Sequence, residues 1–399
     1  MATWTRQSSF PHKNGYEQHN PASNDSGCPK MKITTLNLYC VPLTSRATYY
    51  MADGKTCDSV DSIIIEICTD AGISGWGEVC PIPHYLPAYA NGVVPAIQEL
   101  APVLIGANAV GPDALLSRCE AHLQGHPYAK SALDMALWDL LGKVANLPLY
   151  QLLGGRKMSA APLYHSITCI EPEAMADIAS DAYAQGIRQF QAKLGASGDW
   201  HTDVRRLEAV RTAIGPGPLL YGDWNCGTTT LEAIRVGQAT RHLDVMLEQP
   251  CATLEACAQV RHTTGMAMKI DENAHDTESL LKAHKLGCMD VVALKLSKFG
   301  GVSAIRKARD LCTDLGVMMV IEDTWGSDIT TAAVAHMAVS AEPKYLLNAC
   351  DLSGYVTPHI APDGPRRKNA TLQPSDRPGL GVTPDRDVLG RPIATISQP

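Results

Sequence analysis

Apolar and polar positions first alternate along the chain after Met31 and then take up a helical spacing. MKITTLNLYCVPL reads as a strand, and DSIIIEICTDAGISGWGEV as two more joined at Asp70-Ala71-Gly72. The polar-aromatic stretch TSRATYYMADGKTC, residues 44–57, reads as a long loop between them. From Val93 to Leu153 the spacing is helical, most clearly in YAKSALDMALWDLLGKVANLPLYQLLGG. The expected front part is an α+β unit, a small antiparallel sheet followed by helices.

A second rhythm begins near Ala160. APLYHSIT, FQAKL, LLYGDWN, VMLEQP, MKIDE, VVALKLS, MMVIED and YLLNACD are short apolar runs separated by amphipathic helical stretches. Strands alternating with helices every ~25 residues predict a (β/α)-barrel of seven to eight units. An open doubly wound sheet is the rival, disfavoured because no glycine-rich turn follows the first strand. The expected organisation is a flexible tail over 1–30, an α+β cap over 31–155 and the barrel over 156–360. The segment 361–399 is expected to return to the cap.

Composition narrows the function classes. The 399 residues are 45% apolar and 19% charged, with a formal charge of −7 and no Lys/Arg-rich block. Nucleic acid is therefore not the expected partner. No apolar run approaches the ~20 residues of a membrane span, and residues 1–30 lack the apolar centre of a signal peptide. Thirteen scattered cysteines suit free thiols in a reducing, cytoplasmic setting.

Chemistry is concentrated at the ends of the barrel runs, which close on Lys193, Asp223, Glu248, Asp271, Lys295 and Asp323. One such residue alone is ordinarily a solvated strand end. Six in consecutive units point to one active-site mouth, because barrel sites form at the C-terminal ends of strands. Asp223, Glu248 and Asp271 would repel one another unless a cation lay among them. Oxygen-only donors suit one Mg2+ per site, and the lack of histidine there argues against zinc. Asn225 and Glu272 are candidate supporting partners. Lys193 and Lys295 flank this cluster as an acid/base pair, provided their pKa values fall towards neutrality. The expected reaction is removal of the α-hydrogen of a metal-bound carboxylate, with the metal holding the enediolate. A Schiff-base lysine is the competing reading, but it leaves the three carboxylates unexplained.

The ordered series Lys193, Asp223, Glu248, Asp271 and ALKLSKFGG resembles the muconate-lactonizing and mandelate-racemase branch of the enolase superfamily. HPYAKSALDMALWDLLGK ahead of the barrel extends that resemblance over nearly the whole chain from Met31. It implies the same metal ligands and lysine pair, and a homo-oligomer. The family's Lys-x-Lys is here Gln191-Ala192-Lys193, so Gln191 would replace a charge that helps hold the substrate carboxylate. IEDTWGSD also lacks the His-based dyad of mandelate racemase itself, leaving Lys295 as the opposite-face group.

Asp323 and Trp325 are expected to receive a cationic amine by charge pairing and cation–π contact, although a packed Trp beside a helix-capping Asp is equally natural. Together with Gln191-x-Lys193, they look like the subgroup acting on proline derivatives. That resemblance implies dehydration of cis-3-hydroxy-L-proline or, alternatively, 2-epimerisation of proline or hydroxyproline betaine. Tyr50 and Tyr85, on two cap segments, are expected to touch the ring, whereas Met51 and Leu86 are expected to pack within the cap. His84 reads as surface, and His165 as facing either the mouth or the barrel interior. A dipeptide epimerase, a non-catalytic barrel and a phosphate-binding barrel are weaker alternatives. Strand eight offers only Asp351, the metal and lysine set is intact, and few glycines follow the last strands.

Overall fold

The computed structural model describes residues 31–398. The tail expected over 1–30 lies outside the described residues.

Three long antiparallel strands, β1 (Ile33–Tyr50), β2 (Thr56–Thr69) and β3 (Ser74–Val79), form the body of a five-stranded cap sheet, to which two short later strands add along β1. The run SIIIEI is continuously apolar because both sheet faces are covered. Ile63, Ile65 and Ile67 pack against α1 (Val93–Leu104), α2 (Pro112–His122) and α3 (Pro127–Ala145). Ile64, Tyr39, Leu43 and Trp76 instead join the core that continues into the barrel. Strand alternation makes this division, and each fully buried isoleucine contributes about 1.5–3 kcal/mol. Glycines let α3 lie directly on β3: a Cβ at Gly77 would stand 1.8 Å from Ala132 O.

The long loop expected over 44–57 is mostly strand. β1 runs through Tyr50 with a register shift between Thr44 and Tyr49, so only residues 51–55 separate it from β2. That bulge interrupts the alternation by which a strand is recognised.

The barrel comprises β4 (His165–Ile167), β5 (Gln189–Lys193), β6 (Leu219–Asp223) and β7 (Val245–Glu248). It continues with β8 (Met268–Ile270), β9 (Val291–Lys295), β10 (Met318–Glu322) and β11 (Leu346–Ala349). Consecutive strands pair in parallel, and a bridge from Leu163 to Ala349 joins the ends of the sheet. Helices α4 (Pro172–Ala184), α5 (Trp200–Ile214), α6 (Thr230–Ala239), α7 (Leu254–Thr264), α8 (Thr277–Lys285), α9 (Val302–Leu315) and α10 (Asp328–Ser340) connect them. After β11 the chain makes only a short turn at Leu352–Gly354. This is a TIM-type barrel carrying a separate α+β cap.

Two buried carboxylates of the cap fasten it to barrel helices. Glu78 accepts from Ser327 N and Thr330 N, both at 2.8 Å, at the start of α10. Asp134 accepts from Ser303 N at 2.7 Å in the first turn of α9. Each satisfies donors that a helix start leaves free. Near the C-terminus, β12 (Ala394–Ser397) pairs with β1, and Arg386 binds Glu66 of β2. Among the described residues no helix is long and apolar enough to cross a membrane.

Candidate active site

Parallel pairing puts the ends of neighbouring strands side by side. Lys193 is in register with Asp223, Asp223 with Glu248, and Lys295 with Glu322. Asp271 follows β8 directly, as Asp323 follows β10. All of these side chains are buried. A low-dielectric setting makes each unpaired charge costly, and the pairing is accordingly dense.

Lys193 Nζ lies 2.5 Å from Asp223 Oδ2 and 3.2 Å from Asn225 Oδ1. Asn225 in turn donates to Asp223 Oδ2 at 3.1 Å and to Glu272 Oε1 at 3.0 Å. Lys295 Nζ sits 2.7 Å from Asp271 Oδ2, and Lys298 Nζ 2.8 Å from Asp271 Oδ1. Burial opposes the positive charge on Lys193, but Asp223 and Glu248 outweigh it and hold its pKa above the ordinary lysine value. Lys295 is also raised: Asp271, Glu322 and Glu272 overcome its burial. The protein groups alone therefore do not bring either lysine towards neutrality, and the expected fall would need the divalent cation as well as burial. Two carboxylates around Lys193 and three around Lys295 decide the sign.

The same crowding acts on the acids. Burial, reinforced by Asp223, pushes Glu248 up to about 8. Burial and Asp271 push Glu272 up to about 7. Gln191 Nε2 partly relieves the cluster by donating to Glu248 Oε2 at 2.7 Å and Asp223 Oδ2 at 3.1 Å. Lys269 Nζ approaches Glu248 Oε1 to 2.8 Å, yet this oxygen receives no well-directed hydrogen bond. We read the contact as an ion pair, since the distance is short and only the angle is poor. Glu272 Oε2 is likewise buried without a donor.

These features bear on a metal. Among the described residues no three acidic, His or Cys side chains converge closely enough to enclose one ion as they lie. Lys193 holds Asp223, while Lys295 and Lys298 hold Asp271. The donor chemistry still suits a hard divalent cation. Asp223, Glu248 and Asp271 offer only oxygen from three successive strands, which is the donor set Mg2+ prefers. These three residues could hold Mg2+, with Asn225 and Glu272 behind them.

The lysines face a small cavity of about 60 Å3. Tyr85 reaches it from the cap, accepting from Lys295 Nζ and donating to Asp271 Oδ2, both at 2.5 Å. Trp325 lies on the same wall, its ring 5.8 Å from that of Tyr49 in an edge-on arrangement. Asp323 also borders the cavity, but its carboxylate is already engaged. Ser297 donates to it through main chain and hydroxyl, and Thr324 N donates at 2.7 Å. Asp323 thus braces the end of β9 against that of β10, and a direct ion pair with substrate is not its evident role.

Tyr50 requires a correction. It is 41% exposed and lies off the cavity wall, which its neighbour Tyr49 forms instead. Adjacent strand residues point to opposite faces, so a one-residue error exchanges inside for outside. Met51, expected to pack within the cap, borders the cavity, whereas Leu86 lines a separate small space. His84 is exposed, and His165 lies outside the inner cavity in a neighbouring chamber.

Sequence reading missed Ser166, Tyr164, Lys269, Lys298 and Glu322. The signal for Lys269 was a lysine within the apolar strand MKI, and for Glu322 an acid inside the run MMVIED. Glu322 accepts from Tyr164 Oη at 2.5 Å and pairs with Lys269 Nζ at 3.4 Å. Ser166 and Tyr164 carried no sequence signal.

A capped barrel with this lysine and carboxylate set defines the enolase superfamily. The chain belongs to it: residues 33–154 match the mandelate racemase / muconate lactonizing enzyme N-terminal domain, and residues 174–388 the enolase C-terminal domain-like family. A cis-3-hydroxy-L-proline dehydratase from Roseibium aggregatum is 42% identical over 92% of this chain and 100% of its own length. An N-succinyl-L-Arg/Lys racemase from Bacillus cereus is 29% identical over 90% of this chain and 97% of its own. An enolase-superfamily structure from Roseovarius nubinhibens ISM, complexed with magnesium, superposes with a TM-score of 0.87 at 35% identity. That likeness covers 92% of this chain and 100% of the other. This protein is an enzyme, a hydro-lyase or an isomerase of that superfamily.

Proposed function

We propose that the enzyme removes the α-proton of a small cyclic amino-acid carboxylate, and that its reaction is dehydration of cis-3-hydroxy-L-proline. One observation carries the chemistry: Lys193 and Lys295, from strands two and six of the barrel, border the same small cavity. Asp223, Glu248 and Asp271 would hold Mg2+, which when bound offsets the negative charge developing on a deprotonated carboxylate.

The residues of the chain divide the remaining work. With the charge of its carboxylate partners offset by the metal they would hold, one lysine could be neutral and its Nζ take the α-hydrogen, the electron pair moving into the substrate carboxylate. For dehydration, the C3–O bond then breaks and the departing hydroxide takes a proton from the second lysine, leaving as water. The resulting enamine becomes the cyclic imine. Trp325, Tyr49 and Tyr85 offer aromatic surface to a compact ring, and the Trp325 face suits its ammonium. The aromatic walls and the small cavity exclude water from the reacting carbon. The 42% identity to a cis-3-hydroxy-L-proline dehydratase supports this substrate over others.

Epimerisation of proline or its betaine is the second reading. It needs the same first step, with the second lysine returning a proton to the α-carbon, and the racemase relative favours it.

Solvent-deuterium exchange at the α-carbon of cis-3-hydroxy-L-proline, L-proline and proline betaine tests both readings. Exchange should require Mg2+ and disappear in Lys295→Ala. Exchange that survives loss of both would falsify the mechanism. Release of water and appearance of the cyclic imine would select dehydration.

A further inference from the structure

Beyond Tyr49, Ser166, Trp325 and Tyr355 lies a second chamber of about 580 Å3, and these four side chains border both spaces. They form the partition between them. At its outer end the chamber reaches the exposed residues Arg46, Gly354 and Arg366. Its wall is a joint between cap and barrel. Thr44 and Ser45 of β1 pair with Thr357 and Val356, and Arg46 N donates to Tyr355 O at 2.9 Å.

Charge distinguishes this chamber from an ordinary crevice. Arg366 is neutralised by Asp328 at 2.6 Å, and Arg367 forks onto Asp351 at 2.9 and 2.6 Å. Arg46 donates through Nε to Gly354 O at 3.0 Å, and a terminal nitrogen lies 3.4 Å from His359 Nε2. His359 Nδ1 stands 3.1 Å from Asp328 Oδ1, so this ring is engaged by the same carboxylate that holds Arg366. Among the described residues, three guanidinium groups thus face two carboxylates, and Arg46 has no acidic partner. A His165 nitrogen is buried without a partner on the same wall, its ring stacked 6.1 Å from that of Tyr355. An uncompensated guanidinium in a chamber also lined by Tyr49, Trp325 and Tyr355 suits a planar carboxylate attached to an apolar body.

We propose that this outer chamber is a docking site for a small organic carboxylate. Arg46 takes its carboxylate before the molecule passes the Tyr49, Trp325 and Tyr355 partition. Passage to the inner cavity rests on the carboxylate chemistry proposed above, but anion binding at Arg46 does not. The arrangement separates capture from reaction. Arg46 attracts the ion at an exposed rim, and the aromatic partition keeps the inner cavity dry.

The test uses the full-length, magnesium-loaded enzyme and its Arg46→Gln and Arg46→Lys variants. Benzoate is the probe and benzamide its neutral control, both followed by calorimetry. Benzoate should bind the wild type more tightly than benzamide, lose about tenfold in affinity in Arg46→Gln, and regain part in Arg46→Lys. In turnover, Arg46→Gln should raise KM about tenfold at low salt, with the difference shrinking as salt is added. Benzoate affinity or KM unchanged within about twofold in Arg46→Gln overturns the proposal, as does equal binding of benzamide. If the wild type turns over no amino-acid carboxylate, the proposed function fails, while the benzoate measurements still decide the docking site.

Discussion

Ser166 Oγ donates a 2.6 Å hydrogen bond to Gln191 Oε1, and this contact orients the amide beside the carboxylate cluster. With its oxygen taken by Ser166, Gln191 must turn Nε2 towards Glu248 and Asp223. Tyr49 Oη completes the chain by contacting Ser166. A neutral residue thereby keeps two donor contacts on the carboxylates without adding a charge.

Ser166→Ala should free the amide to rotate and weaken its hold on both carboxylates. One net hydrogen bond is worth about 0.5–1.5 kcal/mol, so kcat/KM should fall about threefold to tenfold. Steady-state kinetics would show it. An unchanged kcat/KM would mean that Gln191 is held by its carboxylate contacts alone.

Divalent metal should stabilise the folded protein, because Asp223, Glu248 and Asp271 present their donors together only in that state. Mg2+ at about a hundred times its Kd should add about 2.7 kcal/mol, visible as a rise in Tm that EDTA reverses. Glu248→Gln should blunt that rise. A Tm equally sensitive to Mg2+ in the variant would place the ion elsewhere.

Glu78→Ala should destabilise the chain by about 2–3 kcal/mol, since it strands buried N–H groups at the helix start formed by Ser327 and Thr330. Chemical denaturation measures this directly. Trp325 stands two residues before Ser327, so KM should rise as well. A loss of stability with KM unchanged would uncouple the cap from the cavity wall.

His336 gives a pH dependence of known sign. Its Nδ1 accepts from Tyr150 N at 3.2 Å and its Nε2 donates to Leu380 O at 3.1 Å, so it folds as the neutral ring. Burial pushes its pKa down from 6.5 to about 4. Between those values the unfolded chain binds the extra proton, and stability falls as pH is lowered through that window. The stability advantage of wild type over His336→Gln should therefore be full above pH 6.5 and shrink towards pH 4. An advantage that stays constant over that range would show that His336 does not titrate there.

The barrel and its metal-type carboxylates were legible because both depend on short-range regularities. Apolar runs recur with a fixed period, and an ionisable residue closes six consecutive runs, so Lys193, Asp223, Glu248, Asp271 and Lys295 declare themselves. The cap sheet was legible for the same reason, except where the bulge between Thr44 and Tyr49 breaks the alternation.

Everything that depends on which face a side chain takes, or on its partner far along the chain, was decided by tertiary structure. Tyr49 replaced Tyr50 on the cavity wall because a strand exposes alternate residues to opposite sides. Asp323 was engaged by Ser297, 26 residues away, and Tyr85 met Lys295 across 210. The pKa of Lys193 and of Lys295 was set in the same way. The sequence by itself determined which charges gather at the mouth. Only the packed structure decided that the buried carboxylates hold Lys193 and Lys295 above their ordinary values, because desolvation and Coulomb energy depend on distances that no sequence spacing specifies.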